Sequence, residues 1–401
     1  MGRDLKALVA KYQDYVIALR RHFHMWPELS TQEFKTQEKI IAELANLAFT
    51  VRRAAVTGVI ADIQGGRPGK RIAIRADMDG LPMQDECGQP YQSQAPGVCH
   101  ACGHDGHTAM LLGAAHILSE MRDELQGNVR LIFQPSEELF PGGASPLIQA
   151  GALTGVDAII GAHLWQPIET GKVGISYGPM MAKPGGFAIT IKGKGGHVSM
   201  PHKTADPVLI GAQIVHAIDS LVGHDIDPLE RAVIVVVTIF KAGQVRNIIP
   251  DTAYIEGAIR VLDPDMLVRI HERVEQIVRG ICLANRADYE FQGTGGYPPV
   301  VNNPAITRLI QAAAAETLGE AAVSEIKPVL ASEDFSYYQQ VVPGAFVFIG
   351  SGNQQKQTLY SHHHPKFDID EKALSHGVEI LVRSALHYLR DSVAHSSPVL
   401  V

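Results

Sequence analysis

Side chains that can bind a metal ion or carry a proton are concentrated in a few short segments of this sequence. Of its 18 histidines, three lie between residues 100 and 107, close to Cys99 and Cys102, and residues 362–364 are consecutive histidines. Histidine is the commonest metal ligand in proteins, and its proton exchanges near neutral pH. Clusters of this density predict metal binding or proton transfer, although a single histidine is more often an ordinary surface or core residue.

Cys99 and Cys102 have the CxxC spacing of half a zinc ribbon or of a redox pair. A ribbon needs a second cysteine pair, and neither Cys87 nor Cys282 has a close cysteine neighbour. A redox pair normally begins a helix in a small βαβ domain, which fits this chain poorly. Both interpretations leave His104, two residues after Cys102, without a role.

Glu137 and Glu138 follow an apolar segment and a proline, where a strand is expected to end. Adjacent side chains at a strand end diverge, so one carboxylate can bind a cation while the other faces a bound water. A hydrolytic metal site needs this division, because the cation lowers the pKa of water toward ~7 and the other carboxylate takes the proton. A solvated glutamate pair in a loop is the alternative.

Five potential ligands fall near the ends of predicted strands. They are Cys102, His104, Glu138, His163 and one of the histidines at 362–364. Five nitrogen, sulfur and oxygen donors suit two divalent cations better than one, with a thiolate or a carboxylate bridging them. The same donors accept Zn, Mn, Co or Ni. We therefore expect two divalent metal ions as the cofactor.

Asp77 and Asp79 end another apolar segment. Their spacing of two residues points both side chains to the same side of a strand. They could orient imidazole ligands from behind. The spacing is equally compatible with a strand-end turn that aspartate caps.

The elements that must position these residues follow from hydrophobic periodicity. Two helices are predicted within the first 47 residues, strands at 58–64, 71–76, 128–134 and 158–164, and a helix at 108–121. Each charged or histidine-bearing motif in this part of the chain thus stands where an apolar strand is expected to stop. In an open α/β sheet that edge is where sites assemble.

From about residue 185 the pattern changes. Strands are predicted at 187–192, 232–239 and 253–261, helices at 206–222 and 264–283, and a glycine-rich turn at 193–197. This β–α–β–β–α unit is large enough to fold alone. Beyond residue 296 the first pattern resumes, with helices at 304–318 and 371–389 and a strand at 345–350. We predict a discontinuous catalytic domain (1–184 and 297–401) and a smaller inserted domain (185–296).

The composition disfavours several kinds of partner and location. The net charge is −7, from 35 Lys+Arg against 42 Asp+Glu, which argues against nucleic acid or an anionic membrane. The longest apolar run, 232–240, is far shorter than the ~20 residues of a membrane span. Residues 1–6 lack the apolar stretch of a secretion signal, and four cysteines in 401 residues do not form a disulfide framework. We expect a cytoplasmic protein.

Seven motifs occur in a set order that resembles the M20 metallopeptidase/aminoacylase family, specifically its amidohydrolase branch. They lie at 75–82 (RADMDGLP), 100–107 (HACGHDGH), 134–138 (QPSEE), 161–163 (GAH), 196–197 (GH), 332–335 (SEDF) and 363–365 (HHP). The resemblance covers nearly the whole chain. That branch contains hippurate hydrolases, N-acyl-amino-acid amidohydrolases and plant hydrolases of auxin–amino-acid conjugates.

The resemblance implies a two-domain α/β fold. The catalytic domain would have a central mixed sheet flanked by helices, and the inserted α+β domain would act as a lid or in dimerisation. The implied reaction is metal-dependent hydrolysis of the amide bond of N-acyl or N-aminoacyl amino acids, which releases a free amino acid. The implied partners are that small molecule, or a short peptide, and a second copy of the chain.

The resemblance also implies a role for individual residues. The cation ligands would be Cys102, His104, Glu138, His163 and His363, with Asp77, Asp79 and Asp105 behind them. His363 is chosen because the family's ligand stands two residues before the proline, but an error of one position would give His362. Glu137 would be the general base. Cys102 replaces the bridging carboxylate of the peptidase branches, which favours an amidohydrolase.

Two residues of the inserted domain also acquire roles from the resemblance. His197 matches a histidine that polarises the scissile carbonyl, in the family possibly across a dimer interface, and Asn247 resembles a position that contacts the substrate carboxylate. Cys99 departs from the branch, which more often has methionine there.

Two other functions remain open at this stage. A dipeptidase or carboxypeptidase of the same fold would differ only in the pocket for the acyl side of the substrate. A non-enzymatic metal-binding or redox protein built around Cys99 and Cys102 would have no use for Glu137 or His197.

Overall fold

The structure, a computed structural model, describes residues 3–227 and 232–391. These residues form two compact units. The first contains the described residues up to Met180, Val301–Lys327 and those from Asp334 onward; the second contains Met181–Val300 and Pro328–Glu333 where they are described. Met1 and Gly2, where the sequence predicts no secretion signal, lie outside the described residues.

Helices and strands alternate along most of the chain. The helices are α1 (Leu5–Met25), α2 (Phe34–Leu44), α3 (His104–Glu120), α4 (Ala144–Gln149), α5 (Pro207–Asp225), α6 (Pro264–Ala284), α7 (Pro304–Leu318), α8 (Ser336–Gln339) and α9 (Lys372–Asp391). The strands are β1 (Thr50–Ala54), β2 (Gly58–Gln64), β3 (Arg67–Asp77), β4 (Gln126–Gln134), β5 (Ala158–Glu169), β6 (Val173–Ile175), β7 (Gly178–Met181), β8 (Lys183–Lys192), β9 (Gly196–His197), β10 (Val233–Ala242), β11 (Ile248–Ile249), β12 (Thr252–Val261), β13 (Asp288–Gly295), β14 (Val300–Asn302), β15 (Val323–Glu325) and β16 (Gly344–Gly352).

The first unit is built on a mixed sheet in the order β1-β2-β4-β3-β5-β16-β6-β15. Its four central strands, β4, β3, β5 and β16, run parallel, whereas β1 and β2 are antiparallel to their neighbours. The carboxyl ends of the central strands therefore meet at one edge of the sheet. The prediction of an α/β fold with a central mixed sheet is confirmed.

Helix α3 is buried along almost its whole length, because its residues are mostly small or apolar. Two glycines permit its close packing. A Cβ atom at Gly106 would lie 2.4 Å from Leu164 Cδ1, and one at Gly113 would lie 2.5 Å from Val16 Cγ2. The first turn of α3 is thereby held tightly against β5, which carries His163.

The second unit has a four-stranded antiparallel sheet in the order β10-β12-β8-β13, with α5 and α6 packed on it. The sequence predicted three of these strands and both helices. It missed β13, whose residues pair with β8 from Asp288 to Gly295. The polar and glycine-rich composition of that segment conceals a strand that leaves most of its side chains exposed.

Two differences from the predicted elements change where site residues lie. Helix α3 begins at His104 rather than at 108, so His104 and His107 occupy its first turn. Strand β5 continues to Glu169, so the prediction that His163 stands at a strand end is wrong. Strand β3 ends two residues beyond Arg75, which pairs with Gly161. His163 is therefore level with the end of β3 although its own strand runs on.

Among the described helices, none is both long enough and apolar enough to cross a membrane.

Candidate dinuclear metal centre

His104 presents one ring nitrogen to the sheet edge because Asp79 holds the other. Gly103, with a φ of 92°, precedes the first turn of α3 and turns the chain into the helix. His104 Nδ1 lies 3.0 Å from the Asp79 carbonyl oxygen and 3.2 Å from Asp79 Oδ1. A donor at Nδ1 leaves the lone pair of Nε2 for a cation.

Glu137 and Glu138 follow the end of β4 in a turn that other side chains brace. Ser136 has a positive φ of 56°, and its N–H donates to Glu33 Oε1 at 2.9 Å. The N–H of Glu138 donates to Asp79 Oδ2 at 3.0 Å. Asp79 therefore contacts the backbone of one expected ligand and the side chain of another. Ligand atoms of Glu137, Glu138 and His104 lie within 4.8 Å of one another.

Cys102 and His163 face each other, with 3.5 Å between Sγ and Nε2. His163 Nδ1 lies 2.9 Å from the carbonyl oxygen of Leu164, so it is the donor and Nε2 keeps its lone pair. Burial, followed by the charge of neighbouring histidines, holds the pKa of His163 well below its usual value. The ring is therefore neutral, which is the form that binds a metal ion.

The three consecutive histidines point in different directions. His363, at a positive φ of 62°, places Nε2 at 3.0 Å from Glu138 Oε1. His362 is turned away, with Nε2 at 3.0 Å from the carbonyl oxygen of Leu164. His364 stacks against another ring, and its Nδ1 accepts a backbone hydrogen bond. His363 therefore joins the cluster, and it is also the residue that stands two positions before the proline, as the ligand does in the family.

The donors at this edge fit divalent cations. His104 Nε2 is buried without a hydrogen-bond partner in the described part of the chain, and it lies 3.9 Å from Glu138 Oε1, the oxygen that His363 also contacts. Burial opposes the charged form of His104, but Asp77 and Asp79 outweigh it and raise its pKa to about 10. The carboxylates that hold a proton on this ring would equally hold a cation there.

An excess of negative charge also surrounds the Cys102 thiol. Burial, then the carboxylates of Glu138 and Glu137, hold its pKa well above the ordinary value. A thiolate at this position needs a positive charge beside it, which a bound divalent cation supplies. Cys102, His104, Glu138, His163 and His363 are therefore suited to hold the cations.

His107 is a site residue that the sequence analysis missed. Its Nδ1 lies 2.6 Å from Asp77 Oδ1, and its Nε2 accepts the N–H of Leu164 at 2.8 Å. Because both ring nitrogens have partners within the protein, His107 has no lone pair left for a cation. It holds neighbouring groups in place and is not itself a metal ligand. Asp77 Oδ2 in turn accepts from Arg75 at 2.6 Å. Only the spacing of three residues from His104 could have hinted that both lie on one face of a helix.

Asp105 faces away from the ligands expected at the sheet edge. Its Oδ2 accepts from Arg20 Nε at 2.8 Å and lies 2.7 Å from His24 Nδ1, and all three residues are buried. Burial raises the pKa of this carboxyl, but Arg20 and His24 outweigh burial and hold it far below the usual range. Asp105 therefore ties the first turn of α3 to α1.

Cys99 and Cys102 are both free thiols. Cys99 is buried, and burial raises its pKa to about 12, so it is a neutral thiol. Because Cys102 faces His163 and the Glu138 carboxylate, the two thiols have different surroundings despite their CxxC spacing. The structure gives no support to a redox pair at these positions.

His197 and Asn247 lie together in the second unit. Strand β9, which ends at His197, pairs with β11, and the N–H of Val198 donates to the Asn247 carbonyl oxygen. His197 Nδ1 accepts the N–H of Ser199 at 3.2 Å. The neutral ring therefore carries its proton on Nε2, and this exposed residue presents an N–H donor.

A cluster of candidate ligands for divalent cations beside a paired carboxylate, at the carboxyl edge of a mixed α/β sheet, is typical of a metallohydrolase. Residues 73–387 match the Peptidase family M20/M25/M40. An N-acyl-L-amino acid amidohydrolase of Geobacillus stearothermophilus is 49% identical over 300 residues, or 75% of this chain and 81% of that protein. Thermostable carboxypeptidase 1 of Saccharolobus solfataricus is 40% identical over 377 residues, or 93% of this chain and 95% of that protein.

A solved structure extends the similarity to the fold. The YXEP protein of Bacillus subtilis, a dinuclear metal binding peptidase from the M20 family, has a TM-score of 0.83 at 34% identity, covering 95% of this chain and 99% of that one. The chain belongs to the M20 peptidase family. The predictions of a metal-dependent amidohydrolase and of two divalent metal ions as its cofactor are confirmed.

Proposed function

We propose that this chain hydrolyses the amide bond of N-acyl amino acids and releases the free amino acid. One observation carries the proposal. The unpaired His104 Nε2 lies 3.9 Å from Glu138 Oε1 with Glu137 beside them, so that cation ligands and a candidate base share one cluster. The similarity to an N-acyl-L-amino acid amidohydrolase supports the substrate class.

Two divalent cations, when bound, would polarise the amide carbonyl and lower the pKa of a water molecule. Glu137 takes the proton of that water and passes it to the leaving amine. Glu137 suits this role because it is buried in the cluster while the neighbouring Glu138 faces His104 and His363. A base positioned in this way contributes ~10²–10⁴-fold to the rate.

The resemblance to the family assigns substrate contacts to His197 and Asn247. His197 donates its Nε2–H to the carbonyl oxygen as negative charge develops there. Asn247 binds the carboxylate of the amino acid. A joint role is supported by their positions, because His197 ends β9, Asn247 immediately precedes β11, and a backbone hydrogen bond links Val198 to Asn247. One such donor contributes ~10²–10³-fold to the rate.

The test removes metal with a chelator, adds Zn²⁺, Mn²⁺ or Co²⁺ back singly, and measures amino acid release from hippurate and N-acetyl-methionine. We expect restored release with at least one cation. Glu137→Gln should lose ~10²-fold or more in kcat while retaining its metal content. His197→Gln should lose a comparable factor. A Glu137→Gln variant with wild-type kcat would refute the role of Glu137.

A carboxypeptidase activity at the same site is the second candidate, favoured by the 40% identity to a thermostable carboxypeptidase. Both reactions leave a free amino acid, so they differ in the acyl side of the substrate. A panel of N-acyl amino acids, free dipeptides and blocked peptides separates them by kcat/KM. A preference for peptides over hippurate would favour the carboxypeptidase.

The second unit has a surface suited to pairing with a second copy, and we include a homodimer in the proposal. Strand β10 is an edge of its sheet, and Ile234 and Val236 are 41% and 44% exposed on it. Edge strands with exposed apolar residues favour association. Replacing both residues by lysine should convert a dimer to a monomer in light scattering.

We also propose a cytoplasmic location, which the free thiols of all four cysteines fit.

A further inference from the structure

A second group of metal-binding side chains lies in the first unit and shares no residue with the dinuclear centre. His24 is in the last turn of α1, and Asp85 and Cys87 are in the loop between β3 and α3. One donor atom of each lies within 4.8 Å of the other two. His24 and Asp85 are buried, and Cys87 is half-buried. A cation could therefore enter past the thiol.

The dimensions of this group match a tetrahedral zinc site. Bonds of ~2.0–2.1 Å to nitrogen and oxygen and ~2.3 Å to sulfur place nitrogen ~3.3 Å from oxygen and sulfur ~3.5 Å from each. The observed distances are 3.3 Å from His24 Nε2 to Asp85 Oδ2, 3.5 Å from Cys87 Sγ to Asp85 Oδ2 and 3.8 Å from Cys87 Sγ to His24 Nε2. The three donors already occupy three corners of the tetrahedron, and water can take the fourth.

The groups behind the donors are also those of a metal site. His24 Nδ1 lies 2.7 Å from Asp105 Oδ2, which is the carboxylate–histidine pairing that aims Nε2 at a cation. Asp85 is held by two backbone donors, with Cys87 N at 2.9 Å from Oδ1 and Ser93 N at 2.7 Å from Oδ2. The positions of two of the three donors are thus fixed before any cation binds.

We propose that His24, Asp85 and Cys87 bind a third divalent cation, Zn²⁺ or a similar thiophilic ion, at a site separate from the dinuclear centre. On binding, the Cys87 thiol and His24 Nε2, which faces Asp85 Oδ2, each release a proton to solvent. The thiolate and the imidazole lone pair then bond to the cation in place of their hydrogen bonds to Asp85, while His24 Nδ1–H still donates to Asp105. A thiolate, an imidazole and a carboxylate select zinc over magnesium or calcium. The ion would join α1 to the loop after β3 and, through Asp105, to the first turn of α3.

The test counts the metal ions in the full chain. Each protein is saturated with Zn²⁺, freed of excess metal by gel filtration and analysed by mass spectrometry of the metal. Cys87→Ser and Asp85→Asn should each bind one ion fewer than the wild type. Cys282→Ser is the matched control, because Cys282 is a buried thiol of α6 in the second unit and should leave the count unchanged.

Cobalt gives a second measurement. In the Cys102→Ala variant, a thiolate-to-cobalt absorption should remain, and the further change Cys87→Ser should abolish it. This difference does not depend on how many ions the dinuclear centre binds, so its failure is distinguishable from failure of the proposed hydrolase. Equal zinc content in the wild type and Cys87→Ser, both folded by circular dichroism, would overturn the proposal. So would a cobalt absorption of the Cys102→Ala variant that the further change Cys87→Ser leaves intact.

Discussion

Replacing Asp79 by asparagine tests whether this buried carboxylate positions the dinuclear centre. Asp79 Oδ1 lies 3.2 Å from His104 Nδ1, and Oδ2 accepts from Ser30 Oγ at 2.7 Å and from Glu138 N at 3.0 Å. An asparagine has one acceptor oxygen and one NH₂ group in these places. Whichever way the amide is turned, its NH₂ group faces the N–H of His104 or that of Glu138. Only a carboxylate at this position can accept hydrogen bonds from both the His104 N–H and the Glu138 N–H.

The size of the effect follows from the bond that is lost. A hydrogen bond to a charged group contributes ~1.5–3 kcal/mol, so a loss of about 2 kcal/mol corresponds to about 30-fold weaker metal binding. This agrees with the ~10–100-fold that groups behind metal ligands usually contribute. The Asp79 carbonyl oxygen, 3.0 Å from the same His104 nitrogen, keeps part of the orientation and limits the loss.

The assay is a chelator competition that gives the apparent Kd for Zn²⁺, together with kcat/KM at rising metal concentration. Ser30→Ala is the matched control, because it removes one donor to Asp79 Oδ2 but leaves the carboxylate and both ligand contacts. We expect its Kd to stay within about threefold of the wild type. Wild-type metal affinity in Asp79→Asn would refute the reasoning, as would an equal loss in Ser30→Ala.

Other predictions concern the elements around the site. His107→Ala removes two buried hydrogen bonds and should lower the free energy of unfolding by about 2–5 kcal/mol, measured in urea. Gly106→Ala should cost about 1–3 kcal/mol because its Cβ would lie 2.4 Å from a Leu164 methyl, whereas Gly280→Ala, with open space around it, should raise the midpoint of its thermal transition. Burial lowers the pKa of His116 below 6.5, so the unfolded chain binds a proton that the folded chain resists. The contribution of this group to the free energy of unfolding should be complete above pH 6.5 and decrease below it, by up to ~1.4 kcal/mol per pH unit. In urea unfolding at pH 7.5 and 5.5, His116→Gln should therefore lose less stability than the wild type between the two pH values.

The sequence was informative where the chain itself marks the ends of strands. Pro135 follows β4, and Asp77 and Asp79 stand at the end of β3, so the sequence marks where both strands end. Parallel strands must bring those ends to one edge of the sheet. Asp79 and Glu138 could therefore be expected in one place before any contact was known. The edge strand β13 was missed because its polar residues bury little and so carry no strong alternation.

Positions set by register or by hydrogen-bond partners could not be found in this way. His163 lies in the middle of β5, and it reaches the site only because its neighbour β3 ends at the same level. His104 and His107 both lie in the first turn of α3, and the sequence does not distinguish their roles. In the structure both ring nitrogens of His107 have protein partners, whereas His104 Nε2 has none in the described part of the chain.

The choice among the three histidines shows why partners decide ligand identity. His362 and His363 are adjacent and chemically identical, and their spacing to the proline differs by a single residue. A left-handed backbone at His363 turns its side chain toward Glu138, whereas the ring of His362 donates to the Leu164 carbonyl oxygen. A histidine whose nitrogen already donates to a buried carbonyl would have to break that bond to bind a cation. His362→Gln should therefore leave the metal content unchanged, while His363→Gln should lower it.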